Sequence, residues 1–191
     1  QLPKNIINLD SKKENTVFIT SLSKLLYPGL RIGFLVTNKK LSKEITRIQK
    51  YTTSSANLLS QAITLYAFKN KTIDKTISYY QKKIGIKKKT IFDAINKTEM
   101  SKHVHISPFF GGFYLWLKFN KKINTTKLID HFSDFGITYV PGSIYYVDND
   151  VHNFMRLSFS QINKDDIPEA INRLNNAIYS LVRKINIYEA Q

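Results

Sequence analysis

Cysteine is absent from the sequence. That absence excludes disulfides, thiolate metal sites and a cysteine nucleophile. Also missing is any uninterrupted apolar run near the roughly 20 residues that a spanning helix needs. No charged-then-apolar leader opens the sequence, so the expectation is a soluble, cytoplasmic protein that makes no membrane contact. On that expectation the Asn-x-Ser/Thr triplets at Asn70, Asn96 and Asn124 carry no glycosylation meaning. There is no internal repeat and no low-complexity linker. Acidic residues are scarce: 14 Asp and Glu face 29 Lys and Arg, for a formal charge of +15.

Such a charge invites a nucleic-acid reading. The lysines, however, are spread along the whole chain, from Lys12 to Lys164, as solvating residues on exposed faces would be. The densest run, "KKIGIKKK" (82–89), has no aromatic interleaved with it as a single-strand groove requires. The 191 residues, 42% hydrophobic and 13% aromatic, are enough for a folded chain with a sizeable core. The sequence starts at Gln1 with no obvious first strand or cap. The expectation is a piece of a longer chain, in which acidic residues elsewhere offset part of the charge.

"TVFIT" (16–20) and "IGFLVT" (32–37) read as short buried strands, parallel because neither alternates cleanly. Leu41, Ile45 and Ile48 predict a helix from Lys39 to Gln49, followed by a polar loop over 51–57 and a helix over 58–68. Ile73, Ile77, Ile84, Ile91 and Ile95 recur at helical intervals and predict one long amphipathic helix containing Gly85. Strands follow at 103–107, 111–119, 136–140 and 153–159. A short helix lies between them at Thr125–Asp134, with Leu128, Ile129 and Phe132 inward. A last helix opens at Asn163, whose side chain can cap it, and buries Ile171, Leu174, Ile178 and Leu181. Three parts result: a strand-rich segment over 1–66, a connecting helix over 67–95, and an α+β module over 96–191.

"SLSKLLYPGLRIG" (21–33) is the segment with chemistry in it. A lysine that forms a Schiff base needs a neutral amine, hence burial or nearby cations. Lys24 follows directly on a predicted strand, and Arg31 comes after a Pro28-Gly29 turn able to bring it back. Ser21 and Ser23 add hydroxyls, and hydroxyls with a guanidinium fork suit a phosphate. Taken alone, "SLSK" reads as a polar strand end and Pro28-Gly29 as an ordinary turn. His103 and His105 share one side of a predicted strand, but with no Asp, Glu or Cys nearby a metal site is not expected. Tyr145 and Tyr146 are assigned to packing rather than substrate contact, and Trp116 to the core.

The order Ser21-Leu22-Ser23-Lys24, then Pro28-Gly29-Leu30-Arg31-Ile32-Gly33, resembles the lysine segment of fold-type I pyridoxal-phosphate aminotransferases, class I/II. It is most similar to the branch with 2-aminoadipate and kynurenine aminotransferases. "GGFYLWL" (111–117) resembles that family's small-domain strand. "VPGSIYY" (140–146) and "NFMRLSFS" (153–160) resemble the approach to its carboxylate-binding arginine. The resemblance implies an α/β fold, the last part of the large domain plus an α+β small domain. It implies pyridoxal 5′-phosphate as cofactor, with Lys24 as the Schiff-base lysine and general acid/base, and Ser21, Ser23 and Arg31 on the cofactor phosphate. Arg156 would hold the α-carboxylate of the amino acid or 2-oxo acid, and a homodimer is implied. The family's remaining cofactor contacts precede its lysine motif and have no counterpart in these residues. The chain by itself is therefore expected to be a poor catalyst. The alternative is the aminotransferase-like sensing domain of a GntR-type transcription regulator. Nucleic-acid binding is expected only if a DNA-binding domain precedes Gln1.

Overall fold

The computed structural model describes residues 5–12, 14–108, 111–147 and 150–189, without the side chains of 185–189. Gln1 and the link at 109–110 that follows Pro108 lie outside the described residues. The chain divides into two compact units, residues 1–80 and 81–191.

The first unit begins with β1 (Phe18–Ser21) and β2 (Gly33–Val36), which pair antiparallel with Ser21 opposite Gly33. The parallel expectation is thereby corrected. A parallel pair needs a crossover of about a dozen residues or more, whereas segment 22–32 folds straight back through a 3-10 turn at Pro28–Leu30. Next come α1 (Lys39–Thr52) and α2 (Leu58–Lys69). Each starts on an asparagine whose Oδ1 accepts a backbone N–H: Asn38 from Leu41 at 2.8 Å and Asn57 from Ser60 at 3.1 Å. Lys71, at φ +53°, separates α2 from α3 (Thr72–Ile95). Leu22, Ile32, Ala67 and Ile73 form the buried cluster, flanked by Leu25, Leu26, Leu30, Ala56 and Ile77. The α1 stripe of Leu41, Ile45 and Ile48 buries nothing fully, and Ile48 is 58% exposed.

The second unit is a four-stranded antiparallel sheet ordered β3-β4-β6-β5, with β3 His105–Ile106, β4 Tyr114–Lys118, β5 Val140–Pro141 and β6 Phe154–Ser158. Leu115, Leu117 and Met155 turn one face to a core completed by Ile91 and Ile95 of α3 and Phe132 of α4 (Ile129–Ser133). Ile171, Leu174, Ile178 and Leu181 of α5 (Ile167–Glu189) close it, as their spacing predicts. Lys87, inside the basic run, ties α3 to the segment that follows β6 by donating to the Ser160 carbonyl at 2.6 Å.

Four expectations change here. Residues 136–139 are not strand. Gly136, at φ +72°, ends α4, with Gly136 N–H on the Ser133 carbonyl and Ile137 N–H on the Phe132 carbonyl, a Schellman cap. Ile129 is 47% exposed, because the segment winds first as a tighter 3-10 turn (Thr125–Leu128) that shifts the phase of the stripe. Trp116 is outside the core: between inward Leu115 and Leu117, the two-residue period of a strand puts it on the opposite face. Asn163 precedes the last helix but gives no side-chain cap, donating instead to the Asp166 carboxylate at 3.2 Å. A 3-10 turn (Lys164–Asp166) leads into α5, where Pro168 fits because first-turn N–H groups have no helical partner.

Helix α3 continues unbroken through Gly85, where an added Cβ meets no atom within 4 Å. Gly85→Ala is expected to raise stability by about 0.5–1 kcal/mol in urea denaturation. Phe132 is fully buried against Phe119 and Tyr139. Phe132→Ala is expected to lower stability by about 3–5 kcal/mol in the same measurement.

Candidate active site

Alternation along β1 and β2 sets out the first group of residues. Leu22 and Ile32 bury their side chains, and the Leu22 N–H donates to the Ile32 carbonyl at 3.0 Å, extending the ladder beyond Ser21–Gly33. Ser21-Leu22-Ser23 therefore runs alongside Arg31-Ile32-Gly33. With the two apolar residues pinned inward, Ser21 and Arg31 stay exposed and Ser23 half-buried. The Ser21 hydroxyl donates to Ser23 Oγ at 3.0 Å and accepts the Ser23 N–H at 3.2 Å. Lys24 sits on the turn that follows, closed by the Leu25 and Leu26 N–H groups on the Leu22 carbonyl at 3.1 and 2.8 Å. Its ammonium is exposed, without a hydrogen bond or ion pair to the described residues.

Arg31 leaves the 3-10 turn in the left-handed region, at φ 52° and ψ 41°. A side chain there costs on the order of 1–3 kcal/mol and persists where the surroundings dictate it. Its Nη1 donates to the Pro28 carbonyl at 3.3 Å, and it pairs with no carboxylate among the described residues. Gly33 matters for a reason that motif reading missed. A Cβ there would stand 2.8 Å from the Thr20 carbonyl oxygen, so only glycine allows the strands to approach this closely. A groove of about 530 Å³ between the hairpin and α1 is lined by residues such as Ile19, Phe34 and Ile48. Neither Lys24 nor Arg31 lines it, so it is set apart from the polar cluster.

Arg156 lies in the second unit, in mid-sheet on β6, between Trp116 of β4 and Val140 of β5. Strand alternation turns it to the face away from the core, where Tyr114, Trp116 and Phe154 also lie. Its guanidinium carbon is 4.2 Å from the Tyr114 ring centroid and 4.9 Å from that of Tyr145. Tyr145 arrives on a 3-10 turn (Gly142–Tyr145), packed so close to β6 that a Gly142 Cβ would fall 2.3 Å from Phe154 Cβ. Tyr145 and Tyr146 also pack on Trp116, at centroid distances of 5.6 and 6.5 Å. The contacts of Tyr114 and Tyr145 with Arg156 were missed from sequence. Their signal was the alternation in "FYLWL" and the Pro-Gly that lets the turn close on the strand.

The two histidines do not share a strand. His103 precedes β3 and packs edge-on against Tyr179 at 5.2 Å, while His105 is in β3 itself. Among the described residues there is no group of three or more side chains suited to a metal ion.

Known proteins match residues of both units. The family model for aminotransferase class I and II matches residues 2–174. An uncharacterised aminotransferase of Saccharolobus solfataricus is 28% identical over 87% of the chain, which covers 41% of that relative. An HTH-type transcriptional regulator of Staphylococcus aureus is 26% identical over 96% of the chain and 40% of the regulator. Among solved structures, the kynurenine aminotransferase of Pyrococcus horikoshii, in complex with PMP, superposes with a TM-score of 0.86 at 26% identity. It is matched over 93% of this chain and 43% of its own. The chain thus spans about two fifths of the length of the relatives it matches. Because the match takes in both the lysine hairpin and the Arg156 strand, the chain belongs to the class I and II aminotransferases and has the α/β architecture of fold type I.

Proposed function

We propose that the protein is an aminotransferase that moves an amino group between an amino acid and a 2-oxo acid with pyridoxal 5′-phosphate. The observation carrying this reading is the hairpin, whose pairing aligns Ser21 and Ser23 with Arg31 beside Lys24. The donor set fits the cofactor's phosphate. It offers two hydroxyls and a guanidinium, and no acidic residue occurs between Ser21 and Val36 to repel a dianion. When bound, the cofactor supplies the electron sink that makes the substrate α-carbon acidic.

The chain's own residues do the rest. Lys24 Nζ would hold the cofactor and, once freed by the incoming amino group, would move the proton from the substrate α-carbon to the cofactor's C4′ carbon, as general base and then general acid. Ser21, Ser23 and Arg31 anchor the phosphate and so fix the cofactor relative to Lys24. Arg156 receives the α-carboxylate through paired N–H donors and orients the carbon to be deprotonated. The division into residues 1–80 and 81–191 falls within the connecting helix, not at the expected boundaries at 66 and 95, and a large-domain end followed by a small domain is part of this proposal. Exposed apolar residues of the first unit, Ile19 and Ile48 among them, suit cover by further chain or by the second subunit of a homodimer. Among the described residues no helix is long and apolar enough to cross a membrane.

Similarity to the Staphylococcus regulator supports a second reading, in which the same site senses the cofactor and an attached domain binds DNA. The two readings separate in one experiment on the complete protein, given cofactor, an amino acid panel and a 2-oxo acid. Turnover is expected, with a visible cofactor absorbance that Lys24→Ala removes and a rate that falls by about 10²–10⁴-fold. Undiminished turnover in Lys24→Ala overturns the catalytic assignment. Cofactor-dependent DNA binding without turnover establishes the regulator.

A further inference from the structure

We infer that Tyr114 and Tyr145 are positioning residues for the carboxylate site, holding the Arg156 guanidinium on their rings so that its N–H edge stays free for the substrate. The inference rests on the reading of Arg156 above and adds what makes it competent. A long arginine side chain at a half-buried position is normally fixed by a carboxylate, which takes up its paired donors and its charge. Arg156 has no such partner among the described residues, and its guanidinium donates no hydrogen bond to them. What it has is two tyrosine rings, 4.2 and 4.9 Å from its central carbon.

Ring contact differs in kind from ion pairing. An aromatic face attracts a guanidinium through its quadrupole and leaves the charge formally unneutralised. Where the planar group stacks on a ring, its π surface makes the contact and its in-plane N–H donors stay available to a ligand. An incoming carboxylate then finds a cation already oriented, with no internal anion to displace, which lowers the ordering cost of binding. Each ring comes from a different element. Tyr114 is on β4, next to the strand that carries Arg156, and Tyr145 is on the turn brought close by Gly142. Among the described residues neither hydroxyl makes a hydrogen bond that accounts for its placement. The rings themselves are the contact, and Trp116, Tyr146 and Phe154 extend the aromatic face beside them.

The test compares 3-phenylpropanoate with 3-phenylpropanamide, a carboxylate and its neutral isostere, by calorimetry on the complete cofactor-loaded protein, with amino acid KM and kcat alongside. The parent is expected to bind the carboxylate more tightly than the amide. Tyr114→Leu and Tyr145→Leu are each expected to weaken carboxylate binding about three- to tenfold, to leave amide binding unchanged, and to raise KM more than they lower kcat. Tyr114→Phe and Tyr145→Phe, which keep the ring, are expected to remain within about twofold of the parent. Unchanged amide binding also reports that each variant is folded. If Arg156→Gln abolishes the preference for carboxylate but both Leu variants retain it, the positioning role is overturned and the carboxylate site stands. If Phe variants lose as much as Leu variants, the hydroxyl and not the ring is responsible, and the inference fails. A parent without preference for carboxylate, or an Arg156→Gln variant that keeps it, overturns the carboxylate site and the inference with it.

Discussion

The backbone hydrogen bond from Leu22 to the Ile32 carbonyl, with both side chains buried, is the constraint on which the lysine hairpin depends. Everything chemical in the first unit hangs from it. Two apolar residues fixed inward determine which neighbours face outward, and these are two serines and an arginine. The ladder fixes their register, and the turn that starts at Leu22 sets Lys24 immediately beyond. A slip of one residue would turn the serines into the apolar cluster and bring the leucine out. Burial of Leu22 and Ile32 thus specifies the polar arrangement without touching it.

The hairpin also shows why its order was legible in sequence while its geometry was not. Ser-x-Ser-Lys, Pro-Gly and a later arginine carry the chemistry in their identities, so composition and spacing were enough to single them out. The direction of the strands was misread because "TVFIT" and "IGFLVT" lack alternation, which suggested a parallel sheet. Their outer surfaces are apolar and exposed in the described unit, so the pattern reported apolar cover and not strand direction. The length of the connection was the better guide. Gly33 gave no warning either, since its role is to admit the Thr20 carbonyl, a contact that exists only once the strands are paired.

In the second unit the long periodic elements were the most legible. Ile91 and Ile95 of α3, with the α5 stripe from Ile171 to Leu181, repeat often enough for period to outweigh local noise, and all are buried. Short elements were less so. "GITYV" has the composition of a strand, yet its first residue closes the preceding helix by adopting a left-handed backbone, and Ile137 packs back toward Phe132. Trp116 was assigned by bulk when alternation was the stronger rule: with Leu115 and Leu117 inward, position 116 had to face out.

Four of the protein's five arginines separate by what holds them. Arg47 and Arg173 lie on exposed helix faces and pair with Glu44 and Glu169 a turn away, at 3.1 and 2.8 Å. Such exposed pairs are screened by solvent and contribute little to stability, and each arginine's charge is already matched by its glutamate. Among the described residues Arg31 and Arg156 are held without a carboxylate, one by a left-handed backbone and a bond to the Pro28 carbonyl, the other by two tyrosine rings. The chain therefore accepts backbone strain at one position and devotes two large side chains at the other. Both arrangements fix the direction of a guanidinium while leaving its charge available. An anion arriving at either would meet a donor already aimed, and scarcity of acidic residues across these segments keeps internal competitors away. The low acidic content noted at the outset has a local counterpart: neither cation has a carboxylate partner among the described residues.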